Sequence, residues 1–313
     1  MGVRRAENRV REFGQRVVAG LGRQAWLDRP SYRFERGLSF VFAACGGARE
    51  RVSNFLHGTW LGHPLHPLLT SVPIGAATAT VALDAASVLP GQSSLRDASR
   101  FTLGLGILGS LGTAVTGMTD WQHTHEENRR VGLVHGALNA TATALYVASW
   151  WDRRRSRHLR GVLRSGVGFG ITICSGYLGG FLVYGSGTGV DQSGARLDTE
   201  KWTPVLPLAA LQGGQPRRVE VDGLGLVLYR NGKEVVAVGE LCPHLGAPMC
   251  DGWIDRGQIV CPWHGSRFTA GSGEVLRGPA TARLPFYPTR LREGMIELRG
   301  APAVVAAATG DVE

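Results

Sequence analysis

The pattern of apolar and polar residues divides the chain into a helical first part and a β-rich second part. Four apolar stretches cover residues 65–89, 101–119, 131–151 and 165–184. Each is about 19–25 residues long, enough for a helix to cross a bilayer, and none contains Lys or Arg. The pattern predicts a four-helix transmembrane bundle. A buried soluble four-helix bundle is the alternative, because the mean hydropathy of the chain is only −0.02.

The second part shows the short alternating runs of β-strands. Predicted strands cover residues 218–221, 226–229, 235–238, 274–276 and 295–298. The dipeptide Asn231-Gly232 between two of these runs is typical of a hairpin turn. We therefore expect an all-β domain over residues 201–300, preceded by a Gly- and Ser-rich linker at 188–200. The Ala-rich residues 301–313 are predicted to form a disordered tail.

The segment 1–56 is rich in arginine and contributes much of the net charge of +9. Apolar residues recur there at helical spacing, at Val10, Phe13, Val17, Val18 and Leu21. An amphipathic helix on the membrane surface is one interpretation and a solvated basic arm is the other. No basic run is interleaved with aromatic residues in a nucleic-acid motif. We expect a lipid bilayer, and no nucleic acid, as the partner of the basic surface.

Two short boxes combine cysteine with histidine. Cys242-Pro243-His244 forms the first box and Cys261-Pro262-Trp263-His264 forms the second. A zinc finger pairs Cys with Cys and His with His. The mixed order here matches what a Rieske [2Fe–2S] centre needs, two cysteines on one iron and two histidines on the other. A structural zinc site with the same four ligands is the alternative.

These boxes make the region from Trp202 to Arg299 resemble the Rieske iron–sulfur family, in its ferredoxin-like branch. The resemblance implies an all-β fold and a [2Fe–2S] cluster that carries one electron. It also implies that Cys242 and Cys261 bind one iron, while His244 and His264 bind the other nearer the surface.

The residues beside the ligands bear on the reduction potential. Ser266 matches a family serine whose hydroxyl donates to a cluster sulfide. Ala247 and Trp263 stand where high-potential relatives have a pair of disulfide-forming cysteines. The resemblance thus implies a potential below that of the respiratory type. Cys250 is interpreted as a small packed side chain, and the odd count of five cysteines implies no disulfide framework.

The first apolar stretch opens with Gly-His-Pro-Leu-His-Pro-Leu at residues 62–68. Together with Gly-Met-Thr-Asp-Trp at residues 117–121, this motif makes residues 57–187 resemble a family of bacterial four-span membrane proteins. The resemblance implies a bacterial inner-membrane protein but brings no chemistry with it.

Histidines gather on one face of the predicted bundle. His66 and His135 lie on helices that run in the same direction, at similar depth, and two facing imidazoles could ligate a b-type haem. A quinone-type ligand near His63 and Asp120 would fit the same face. The alternative is a set of interfacial histidines that bond to loops or helix ends on a membrane domain that acts only as an anchor.

The charge distribution gives conflicting signals on topology. The basic N-terminal arm favours a cytoplasmic N-terminus, whereas the arginines of residues 153–164 lie on the opposite face. Because the first segment usually dominates, we expect the β domain in the cytoplasm.

The function predicted from the whole sequence is membrane-anchored electron transfer. No catalytic residue or mononuclear iron site of its own is expected, and the redox donor and acceptor are not identified. A membrane redox sensor is the alternative. A component of a Rieske oxygenase system is a weaker one.

Overall fold

The computed structural model describes residues 2–87, 92–194, 197 and 200–300. It divides into two compact units, Met1–Gly58 with Pro64–Thr188, and Thr59–His63 with Gly189–Glu313. The first unit is helical and the second is built from short β-strands. The predicted tail at residues 301–313 lies outside the described residues.

Seven α-helices form the described part of the first unit. They are α1 (Gly2–Gly22), α2 (Asp28–Ala44), α3 (Arg49–His57), α4 (Leu65–Ala86), α5 (Ser93–Trp121), α6 (Glu126–Arg154) and α7 (His158–Gly180), with a π-helical turn at Phe181–Gly185. Helices α4 to α7 are long and apolar enough to cross a membrane, which confirms the predicted four-helix architecture. Large apolar side chains on the outside of α5, such as Leu105, Leu108 and Leu111, are exposed. This outward apolar face suits contact with lipid.

The four long helices pack as two hairpins, α4 with α5 and α6 with α7, and contacts of α5 with α6 and of α4 with α7 complete the bundle. Small residues allow this close approach. A Cβ atom added to Gly106 would lie 3.1 Å from Cβ of Ala76, and one added to Gly168 would lie 2.9 Å from the Tyr146 ring. Glycine at these two positions lets the helix backbones come together.

The N-terminal region is helical rather than a solvated arm over its described residues. Val18 of α1 is buried in a cluster with Val131 of α6 and Leu178 of α7. Phe13, by contrast, is exposed. The predicted apolar face of α1 is therefore shared between the bundle and the surroundings.

Ion pairs attach α2 to the start of α6. The Arg130 guanidinium donates to both carboxylate oxygens of Asp28, at 2.7 and 2.8 Å. This hydrogen bonding holds the pKa of Asp28 below its ordinary value. Arg129, which is buried, donates to Ser31 Oγ at 3.1 Å and to Glu35 at 2.5 Å. The N-terminal helices are thus joined to the membrane bundle by specific charged contacts.

Eleven short strands form the described part of the second unit. They are β1 (Thr203–Pro207), β2 (Arg217–Val221), β3 (Leu224–Asn231), β4 (Glu234–Gly239), β5 (Trp253–Asp255), β6 (Gln258–Val260), β7 (Arg267–Thr269), β8 (Val275–Arg277), β9 (Phe286–Tyr287), β10 (Thr289–Arg292) and β11 (Met295–Leu298). All pair antiparallel, in sheets ordered β1-β11-β10, β2-β3-β4-β9 and β5-β6-β7-β8. The all-β prediction is confirmed, and Gly232 has the positive φ of +63° that its turn requires.

The strands place the two boxes at their ends. The first box follows β4, and Cys261 follows directly on β6, before β7 begins at Arg267. A buried apolar cluster that includes Val238, Met249 and Phe268 packs against both box cysteines. The boxes are thus loops held on a rigid, water-excluded base.

Candidate metal centre

The first box forms a tight loop closed by its own backbone. The N–H of Cys242 donates to the carbonyl of Ala247 at 2.9 Å, and the N–H of Gly246 donates back to the carbonyl of Cys242 at 2.9 Å. Gly246 has a φ of +72°, in the left-handed region that a side chain disfavours. The loop therefore needs glycine at this position.

The second box repeats this pattern. The N–H of Cys261 donates to the carbonyl of Ser266 at 2.9 Å, and the N–H of Gly265 donates to the carbonyl of Cys261 at 3.2 Å. Gly265 also has a positive φ, of +67°. The two loops thus present their donor side chains from equivalent backbones.

The four predicted ligands form two pairs. Cys242 and Cys261 are fully buried and belong to one buried cluster. His244 and His264 are half-buried, with ring centroids 5.0 Å apart and Nδ1 atoms 3.2 Å apart. Metal–nitrogen bonds of about 2.1 Å can span that separation from a shared metal atom. Sulfur donors lie inside and nitrogen donors lie toward the surface.

No group of three or more His, Cys, Asp or Glu side chains among the described residues forms a site for a single metal ion. A structural zinc ion would need all four donors around one point. A thiol pair and an imidazole pair would suit a group with two metal atoms, one bound by sulfur and one by nitrogen. Both interpretations of the donor set stay predictions.

The thiol pair is prepared for deprotonation. The hydrogen bond from Cys242 lowers the pKa of the Cys261 thiol to about 7, while the same contact and burial raise the pKa of Cys242. The thiolate is the form that binds metal, so both thiols must lose their protons to hold an iron together.

Two hydroxyl groups lie under the loops. The N–H of Ala280 donates to Oγ of the fully buried Ser266 at 3.0 Å, so the oxygen is used as an acceptor there. This arrangement leaves the Ser266 hydrogen for another acceptor, as its predicted role requires. The buried Tyr229 hydroxyl donates to the carbonyl of Met249, and burial raises the pKa of Tyr229. Sequence reasoning missed Tyr229, which no motif marks within β3.

The remaining cysteine of this unit stands apart from the donor pairs. Cys250 is partly buried against the same apolar cluster, and its sulfur lies 3.7 Å from an Asp251 carboxylate oxygen. Burial raises the pKa of the Cys250 thiol. These contacts fit the prediction of a packed side chain.

The histidines of the membrane unit bond to neighbouring helices. His66 Nδ1 lies 2.9 Å from the carbonyl oxygen of Thr113 on α5, and His135 Nδ1 lies 2.8 Å from that of Ser175 on α7. Both acceptors lie inside helices and not in loops. The predicted haem ligation and its alternative both stay predictions.

Asp120 is bonded within the membrane unit. His57 Nδ1 lies 2.9 Å from a carboxylate oxygen of Asp120, and the ring of His123 is 5.2 Å from that of His57. His63 belongs to the segment Thr59–His63 of the other compact unit. Its predicted association with Asp120 stays a prediction.

The arginines used in the topology argument are not all loop residues. Arg153 lies buried inside the bundle, bonded to Asp84 at 2.6 Å, and Arg164 is bonded to Asp152 at 2.6 Å. These two charges are neutralised by helix partners. The predicted topology stays a prediction.

Two family models match the chain. Residues 62–192 match the family described as Predicted membrane protein (DUF2231), and residues 201–288 match the Rieske [2Fe-2S] domain. All four predicted ligands lie within the second match.

Similar proteins match the second unit. The chain is 36% identical over 93 residues to the ferredoxin component of the naphthalene 1,2-dioxygenase system of Pseudomonas aeruginosa, a match that covers 30% of this chain and 89% of that protein. It is 32% identical over 91 residues to apoptosis-inducing factor 3 of Mus musculus, covering 29% of this chain and only 15% of that protein. Among solved structures, the ferredoxin of carbazole 1,9a-dioxygenase from Nocardioides aromaticivorans is 26% identical, with a TM-score of 0.31, over 32% of this chain and 98% of that one.

Proposed function

We propose that this chain, which belongs to the Rieske [2Fe-2S] domain family through residues 201–288, is a membrane-anchored carrier of single electrons. A [2Fe–2S] cluster, when bound, supplies a one-electron couple. Cys242 and Cys261 would hold its inner iron, and His244 and His264 would hold the outer one. The half-buried imidazoles support an electron exit on this side of the cluster.

The observation that carries this proposal is the division of the donors into a buried thiol pair and a half-buried imidazole pair. This arrangement matches the unequal ligation of the two irons in such a cluster. The relatives support the same function, since one of them is named as the ferredoxin component of a dioxygenase system. A ferredoxin delivers electrons to a separate enzyme, so the redox donor and acceptor of this chain are proposed to be separate proteins.

Four helices long and apolar enough to cross a membrane precede the cluster domain. We propose that they confine electron transfer to the surface of a bacterial inner membrane, with the cluster domain on the cytoplasmic side. The arginine-rich segment 1–56 supports this orientation, because the first segment usually dominates.

The test compares ligand variants with a matched cysteine variant in the full-length protein. We expect about two non-haem irons per chain and a rhombic EPR signal on reduction. Both should disappear in Cys261→Ser and His244→Ala and should persist in Cys250→Ser, because Cys250 lies outside the donor pairs. Stoichiometric zinc without iron, in protein made under iron-replete anaerobic conditions, would overturn the proposal.

A redox group in the membrane unit is a second candidate function. Of the two groups predicted from the sequence, the b-type haem has an observation in its favour, the matched bonding of His66 and His135 to neighbouring helices. The quinone-type ligand near His63 and Asp120 has no such observation, since Asp120 is bonded to His57.

A further inference from the structure

The two membrane hairpins carry one pattern of residues twice. Without gaps, the sequence of α4 aligns with that of α6, and the sequence of α5 aligns with that of α7. The first alignment gives four pairs of equivalent residues: His66 with His135, Pro73 with Ala142, Thr80 with Ser149 and Asp84 with Arg153. The second alignment pairs Ser99 with Gly161, Gly106 with Gly168, Thr113 with Ser175 and Gly117 with Gly179.

The contacts repeat with the residues. In the first hairpin, His66 bonds to the carbonyl of Thr113 and lies over Gly117, where an added Cβ would come within 2.7 Å of the imidazole. Any residue larger than glycine at position 117 would clash with the His66 imidazole in this position. The histidine thus sits in a groove on the backbone of α5.

The second hairpin reproduces this arrangement. His135 bonds to the carbonyl of Ser175 and lies over Gly179, where an added Cβ would come within 2.9 Å of the imidazole. The histidine, the residue whose carbonyl it bonds to and the glycine beneath its ring are all equivalent in the two alignments. The bundle therefore consists of two equivalent halves. Equivalent residues are therefore related by an approximate two-fold axis along the bundle.

The ion pair shows which way the histidines face. Asp84 of α4 and Arg153 of α6 are equivalent residues, yet they bond to each other, so both point at the bundle axis. His66 precedes Asp84, and His135 precedes Arg153, by the same interval of five helical turns. Whole turns return each side chain to the same helix face, roughly 27 Å along the axis. The two imidazoles therefore face the same axis.

The hydrogen bonds also decide the tautomers. A carbonyl oxygen only accepts, so in both His66 and His135 the proton is on Nδ1. Nε2 then carries the lone pair in each ring, and in His135 it accepts from the Asn139 side-chain amide at 3.1 Å. A metal-binding histidine typically donates its other ring N–H to a carbonyl in this way.

A buried polar atom near this level lacks a partner among the described residues. Thr113 supplies the carbonyl that holds His66, yet its own Oγ1 is buried with no hydrogen bond to them. Such an atom in an apolar bundle calls for an explanation, and an absent ligand is one. Polar side chains within a membrane bundle are by default candidates for function.

The geometry points to a b-type haem held between α4 and α6, with Nε2 of His66 and Nε2 of His135 as its two axial ligands. A planar apolar macrocycle suits the interior of a four-helix bundle, and paired histidines on facing helices bind such a cofactor there. Asn139 would give up its bond to His135, because the iron takes the same lone pair. This site goes beyond the proposed cluster and does not depend on it.

The test uses full-length protein purified in detergent from cells supplied with a haem precursor. We expect one haem per chain and, on reduction with dithionite, the sharp bands of a low-spin bis-histidine haem. His66→Ala and His135→Ala should each lose these bands, whereas His158→Ala, at the other end of the bundle, should keep them. His135→Met should retain iron with altered bands, because it replaces one ligand by another.

A matched glycine pair adds a readout that leaves both ligands in place. An added Cβ at Gly179 meets His135, whereas one at Gly176 meets nothing within 4 Å. Gly179→Ala should therefore reduce haem content several-fold and Gly176→Ala should not. The cluster EPR signal and monodisperse elution serve as folding controls for every variant.

Three results would overturn the haem site. One is wild-type protein with a full cluster signal but no haem band, even after incubation with hemin. Another is an unchanged haem band in the double variant His66→Ala/His135→Ala. Quinone extracted from haem-free protein would likewise reject the haem. Haem in protein that lacks the cluster would instead reject only the proposed electron-carrier function.

Discussion

Asp84 and Arg153 occupy equivalent positions in the two halves of the membrane bundle and are bonded to each other. Two guanidinium nitrogens of Arg153 donate to the two carboxylate oxygens of Asp84, each at 2.6 Å. Ser99 and Ser165 also donate to this carboxylate, at 2.5 and 3.3 Å. The two equivalent residues thus carry opposite charges and form one neutral ion pair between the diagonal helices α4 and α6.

Removing one member of this pair should destabilise the bundle strongly. Asp84→Ala leaves a buried arginine without its counter-ion, a change that typically costs about 3–5 kcal/mol. The double variant Asp84→Leu/Arg153→Leu should recover most of this loss, because no uncompensated charge remains. Unfolding in mixed detergent micelles measures the stability of both variants.

Asp97→Ala, which breaks an exposed pair with Arg100, is the control and should change the stability little. A double variant as unstable as the single one would contradict the interpretation.

Ser266→Ala should lower the reduction potential of the cluster. Its hydroxyl accepts from Ala280 and is predicted to donate to the cluster, and a lost donor favours the oxidised form. Each 1.4 kcal/mol of differential stabilisation corresponds to roughly 60 mV for one electron, so a fall of tens of millivolts is expected. Protein-film voltammetry measures it, with Ser272→Ala as the control. An unchanged reduction potential would show that the Ser266 hydroxyl does not affect the potential of the cluster.

Gly265→Ala should destabilise the second unit through its backbone alone. The residue has a φ of +67° and open space around its Cβ position, so the cost is conformational and about 1–2 kcal/mol. Gly271 has equal space without a positive φ, and Gly271→Ala should be neutral or slightly stabilising. Thermal unfolding and cluster content are the measurements. Equal effects of the two substitutions would show that the loop does not require glycine.

Asp28→Asn should release the N-terminal helices from the bundle. The Arg130 guanidinium lowers the pKa of Asp28 below 3.8, so the pair stabilises the folded state fully above that pH. The stabilisation is lost as the pH falls through the lowered pKa of the folded protein. Limited trypsin digestion at neutral pH should cut Asp28→Asn earlier than the wild type. Glu12→Gln, which removes an exposed pair with Arg16, should not speed cleavage.

The sequence by itself determined the two fold classes and the predicted donor set of the cluster. Apolar runs long enough for a membrane span and the alternating runs of residues 217–239 are local signals, so they require no tertiary information. The Cys242 and Cys261 boxes are local as well, because each cysteine and its histidine stand within one short loop. The shortest strands, such as β9, were not predicted, since two residues carry no period.

Only the tertiary structure decided what depends on distant residues. The sequence left Arg153 among the loop charges, and its pairing with Asp84, far away along the chain, places it inside the bundle. The duplication of the hairpins is present in the spacing of His66, Thr80 and Asp84, but two sequences with few identical residues do not display it. The folded chain shows the duplication because equivalent residues of the two hairpins make equivalent contacts. Which residues contact each other, and which are buried, is decided only when the helices pack.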